Sequence, residues 1–126
     1  MENKINSFED LEAWKSAREL VRFIYRIFTR APANRDFGLR GQVQDAAVSV
    51  MTNIAEGFER VHPTEKMQFY NIARASCGEV RSLSYVMLDA EYISAAEHTE
   101  LLERIVHTGK LVSGLMRSTR ARIAKP

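Results

Sequence analysis

Cysteine is almost absent from this 126-residue chain, and Cys77 is the only one. No intramolecular disulfide can form, which fits a reducing compartment. No stretch approaches the roughly 18 uncharged apolar residues of a membrane-spanning helix. Met1 to Asn6 holds no apolar run behind Lys4, so no signal peptide is expected and the chain reads as cytoplasmic. A large net charge is missing too: +2 excludes a histone-like polycation. There is no internal repeat, no low-complexity segment and no glycine-rich phosphate loop. Glu59-Arg-Val-His62 is a lone Glu-x-x-His, whereas a di-iron bundle needs that motif twice plus two more inward glutamates. His98 and His107 lack ligand spacing. No metal and no cofactor are therefore expected.

What is present is helical periodicity. A hydrophobic fraction of 45% supplies one packed core, and the length suits one domain over residues 1–126. Ser7 with Asp10 opens a first helix over about 8–31, with Leu11, Trp14, Ala17, Leu20, Ile24 and Ile27 at helical steps and Pro32 behind it. A second helix spans about 38–60 and a third about 64–92, separated by Pro63. Ser94 with Glu97 forms a capping box for a fourth helix over about 95–122. Long amphipathic helices joined by short loops predict an all-α fold, an antiparallel up-down-up-down four-helix bundle.

The second helix carries an unusual polar stripe. Val43, Ala46, Ala47, Val50 and Ile54 share one face, and Gln42, Asp45, Ser49, Asn53 and Glu56 recur beside it. Short polar groups at a core edge are costly unless hydrogen-bonded, so they predict a polar contact between helices. Ser76 and Glu79 fall on the apolar side of the third helix. The expected interhelical network is therefore Ser49, Asn53, Glu56, Ser76 and Glu79. An enzymatic alternative pairs Glu56 and Glu79 as acid and base, but no nucleophile–base pair accompanies them, and no catalytic residue is assigned. Val48, Thr52 and Ala55 occupy the outer face of the second helix, where small and apolar residues suggest an oligomer interface. Gly57 suits a close helix approach or a local loosening.

Charge is unevenly distributed. Lys15, Arg18, Arg22, Arg26 and Arg30 form a basic stripe opposite the apolar face of the first helix. Residues 15–40 hold seven basic and two acidic side chains, residues 110–126 five and none, and residues 79–103 one and six. The stripe suits phosphate contacts that position without reading sequence. The alternative is a solvated face or a partner for acidic protein, and no RNA-binding signature or interleaved aromatics accompany the arginines.

Three motifs carry a family resemblance: Phe8-Glu-Asp-Leu11-x-x-Trp14, Asn53-Ile-Ala-Glu-Gly57-Phe58 with Arg60, and Ile72-Ala73-x-x-Ser76-x-x-Glu79. In this order and spacing the chain resembles the bacterial four helix bundle protein family, from Phe8 to about Leu115. That family includes proteins encoded in intervening sequences of 23S ribosomal RNA genes. It is similar to the accessory variability proteins of diversity-generating retroelements. The resemblance implies a cytoplasmic bundle, commonly a homopentamer, with no established enzymatic activity. In the retroelement branch it implies a basic nucleic-acid-binding partner of a reverse transcriptase. The sequence departs at Gln44 and Asp45, where members often carry basic residues, and at Ala75, often glycine. The expectation is a non-enzymatic homo-oligomer, ring-like and pentameric, that engages nucleic acid or a nucleoprotein partner. A protein-binding scaffold is the alternative.

Overall fold

Each of the four apolar stripes has to find a partner, and the helices do so in chain order. A computed structural model describes residues 4–124. Helix α1 is Glu12–Ile27, α2 Phe37–Glu59, α3 Pro63–Asp89 and α4 Ala95–Ala124. Each helix packs on its sequence neighbour, and α4 returns to close against α1, giving an up-down four-helix bundle. Leu20 and Ile24 from α1, Val43, Val50 and Ile54 from α2, Val80 and Met87 from α3, and Leu101 and Val112 from α4 fill its centre without exposure. Each such side chain contributes roughly 1.5–3 kcal/mol by leaving water.

The first helix is shorter than its periodicity predicts. Phe8–Asp10 forms a separate 3-10 turn, and Leu11 is extended before α1 begins. The Asp10 carboxylate accepts the Asn6 and Ser7 backbone N–H groups, so the Ser7–Asp10 box caps the turn rather than the helix. Phe8 then tilts onto Trp14 at 5.2 Å between ring centroids, tying the turn to α1. At the other end α1 stops at Ile27, four residues before Ala31. A second 3-10 turn, Ala33–Arg35, leads into α2.

The third helix ends at Asp89 rather than Tyr92. Tyr92 N–H donates to Met87 C=O and Glu91 N–H to Leu88 C=O, a Schellman closure with Glu91 at φ 63°. The connection it makes is tied to its neighbours. Tyr92 hydroxyl donates to Asp36 Oδ2 at 2.8 Å, while Asp36 Oδ1 caps α2 by accepting Leu39 N–H. Arg30 donates to Tyr92 C=O at 3.0 Å and to Glu97 at 2.7 Å. Glu97 meanwhile accepts Ser94 N–H in the capping box of α4. The α1–α2 and α3–α4 connections thus form one bonded cluster at one end of the bundle.

Candidate nucleic-acid interface

Polar residues placed where helices meet must find partners, and most do so across a helix pair. Ser49 Oγ lies 2.8 Å from Ser76 Oγ, joining α2 to α3. Asn53 Nδ2 donates to Ser49 C=O at 2.8 Å and to Ser49 Oγ at 3.1 Å. Glu56 and Glu79 stand outside this cluster. Glu56 is exposed and pairs with Arg60 at 3.3 Å. Glu79 is exposed and has no hydrogen-bond or ion-pair partner among the described residues. The reason is angular: three residues from Ser76 turn Glu79 back by about 60°, toward solvent. The two carboxylates therefore do not share a pocket with a nucleophile.

Two further clasps escaped the sequence reading. Thr108 donates to Arg104 C=O, so Ser16 on α1 donates to Thr108 Oγ1 on α4, at 2.7 Å. Buried Ser84 on α3 donates to Arg81 C=O, so His98 on α4 supplies the proton, from Nε2, for their 3.1 Å contact. In sequence these are ordinary helix hydroxyls. Only the helix register shows that they meet.

Gly57 lies under the ring of Tyr70. A Cβ built there would stand 2.5 Å from Tyr70 Cε1 and 2.8 Å from Cδ1, so α2 and α3 approach closely at this point. Lys66 donates to the Phe58 and Gly57 carbonyls at 2.7 and 3.3 Å, satisfying the end of α2. The Arg60 guanidinium covers Phe69 at 4.5 Å. Residues of the Asn53–Arg60 motif thus build one α2–α3 junction.

The expected basic stripe is exposed throughout, although Arg30 lies beyond the end of α1 rather than on it, and much of the stripe is paired within the chain. Lys15 meets Glu12, Arg22 meets Glu19 at 2.8 Å, and Arg30 is held by Glu97. Arg18 lies over Trp14 at 5.7 Å. Arg18 and Arg26 have no carboxylate partner among the described residues. Exposed pairs of this kind contribute about 0–1 kcal/mol and exchange readily for another anion.

A second basic surface lies between α3 and α4. An open furrow of about 520 Å³ there has Arg74, Arg81, Lys110 and Arg117 on its sides and Gly78 and Gly109 along it. All four cations are exposed, and none has a carboxylate partner among the described residues. Their seven-residue spacing on each helix was legible. What the sequence did not show is that the two helices bring the pairs together. Cys77 also borders this furrow but is buried, which pushes its thiol up to about 11.

On α2, Val48 and Ala55 are half-buried, and exposed Thr52 donates to Val48 C=O. On α3, Ile72 and Val86 are each 47% exposed, at seven-residue steps either side of Glu79. Exposed His62 precedes Pro63 in the α2–α3 turn. Among the described residues no group of three or more His, Cys, Asp or Glu could hold a metal ion, and no helix is long and apolar enough to cross a membrane.

Comparison with known proteins gives two findings. A family model described as 23S rRNA-intervening sequence protein matches residues 9–114. A solved structure from Bacteroides thetaiotaomicron, a protein of unknown function from the S23 ribosomal protein family, is similar at TM-score 0.76 and 16% identity. The match covers 82% of this chain and 97% of that one. At this identity the likeness carries the fold alone. No curated protein matches the chain.

Proposed function

The chain belongs to the 23S rRNA-intervening sequence protein family, and from that premise we propose that it is a non-enzymatic, ring-forming bundle of the cytoplasm that binds nucleic acid, or a nucleoprotein partner, through basic surfaces. One observation carries this reading. Arg18, Arg26, Arg74, Arg81, Lys110 and Arg117 are exposed cations without a carboxylate partner among the described residues. Phosphates would supply the missing anions, and release of their condensed counterions would drive binding.

The ring is a homo-oligomer, five-membered as the family resemblance implies. Val48, Thr52 and Ala55 supply its contact on α2, and the exposed Ile72 and Val86 extend that contact onto α3. A glutamate at Ile72 should halt assembly, read as protomer mass by light scattering. A variant that keeps its assembled mass would place the interface elsewhere, and a wild type that is monomeric would remove the ring.

Titration of labelled RNA and duplex DNA at several salt concentrations tests the binding. The duplex should show a log–log salt slope of about −0.9 per neutralised phosphate. If the assembled wild type binds neither nucleic acid at low salt, the reading fails. The basic faces would then serve an acidic protein partner, as in a scaffold.

A further inference from the structure

The basic surfaces differ in their acidic neighbours, and the difference selects one of them. On α1, Lys15 and Arg22 already hold carboxylates, and the hollows that Lys15, Arg26 and Arg30 border are shared with Glu12, Glu19, Glu97 and Glu100. Between α3 and α4 they border a concave furrow, and no acidic residue lines it. Arg74 and Arg81 are seven residues apart on α3, and Lys110 and Arg117 seven apart on α4. Two helical turns separate such residues by about 10 Å. Charges so spaced on both sides suit a chain of anions rather than one small anion.

The floor adds an independent observation. Gly78 and Gly109 occupy helix interiors, where glycine weakens a helix relative to alanine. Neither serves a close helix approach, because a Cβ at either position meets nothing within 4 Å. Gly57 shows the opposite case in this same molecule. The glycines at 78 and 109 therefore leave open space, and that space is the furrow.

From this geometry we infer that the α3–α4 furrow is a channel for one strand of nucleic acid, held by its phosphates. This rests on the reading that the chain binds nucleic acid. The furrow holds only about 520 Å³, so it seats the backbone of a single strand and leaves a duplex on its rims. No aromatic residue lines it, so bases have nothing to stack on. Binding should be indifferent to sequence.

The test uses the full chain, a labelled single-stranded 20-mer as RNA and as DNA, and a duplex of the same length. Three variants are compared with wild type. One replaces Arg74, Arg81, Lys110 and Arg117 by glutamine. A second replaces Arg18, Arg22 and Arg26 by glutamine. The third, Gly109→Leu, fills the furrow with every charge in place. The first should lower the single-strand salt slope by about three. Gly109→Leu should weaken single-strand binding at least tenfold, affect the duplex less, and leave the unfolding midpoint unchanged or higher. The α1 variant should keep most single-strand affinity. If Gly109→Leu, folded and of wild-type mass, binds the single strand as wild type does, the channel is refuted. The same follows if the α1 variant alone loses binding. If wild type binds neither strand nor duplex, the broader reading fails with it.

Discussion

Replacing Gly57 with alanine should destabilise the protein, although alanine is the better helix former. The gain in helix propensity is at most about 1 kcal/mol and shrinks near a helix end. Against it stands the added methyl, 2.5 Å from Tyr70 Cε1 and 2.8 Å from Cδ1. Ordinary contact requires the ring to retreat by about 1 Å, and Tyr70 is only 3% exposed, with the core behind it. Forced overpacking of this kind costs about 1–3 kcal/mol. The net expectation is a loss of about 1–2 kcal/mol, read from urea midpoints at one protein concentration. Glycines at 78 and 109 supply the control, since alanine there meets nothing and should stabilise by up to about 1 kcal/mol. A cycle with Tyr70→Leu isolates the cause: once the ring is gone, alanine at 57 should cost nothing, a coupling of about 1–2 kcal/mol. A Gly57→Ala protein more stable than wild type would refute the close approach as the reason for this glycine.

Three more outcomes follow from the bonding. Ser49→Ala leaves the Ser76 hydroxyl without its α2 partner and should cost about 1–2 kcal/mol, whereas Ser49→Ala with Ser76→Ala together should cost less than their sum. Glu91 sits at φ 63°, so Glu91→Gly should raise stability by about 1 kcal/mol, and a drop in the urea midpoint would contradict the strain. Glu97 is held below the usual carboxylate range by the Arg30 guanidinium and then by Ser94 N–H, and Asp10 by the Asn6 and Ser7 N–H groups. A depressed carboxyl stabilises above its unfolded pKa of about 4 and loses that contribution as pH falls through the folded value. Acid titration of the unfolding midpoint should therefore be shallower in Arg30→Gln than in wild type, and identical slopes would dissociate Arg30 from Glu97.

The helices were legible because apolar spacing is local. Leu20, Ile24, Val50, Ile54, Val80 and Val112 all reach the core face that periodicity assigns them. Helix ends were less legible. The end of α3 uses a glutamate in the left-handed conformation, where a glycine would have announced the stop. The Ser7–Asp10 box has the same chemistry whether it caps a helix or a 3-10 turn. The Ser49–Asn53–Ser76 cluster lay within the expected network, but Glu56 and Glu79 each stand three residues beyond a member of it, a turn of about 60° that carries them to solvent. The α3–α4 furrow required the register of two helices, which no single stretch of sequence contains.

The bonded cluster that joins Arg30, Asp36, Tyr92, Ser94 and Glu97 has a consequence for motion. An up-down bundle puts two connections at one end and, at the other, one connection with the start of α1 and the end of α4. Here the doubly connected end is also the bonded one, so amide hydrogen exchange should be graded along the bundle axis. Opening should begin where α1 starts and α4 ends, and amides near the Tyr92 cluster should exchange only with larger excursions. Arg117, at the outer part of the furrow, would then ride on the more labile half of α4, and Arg81 on the half of α3 that stays closed. A strand settling there would meet a firm inner end and a yielding outer one.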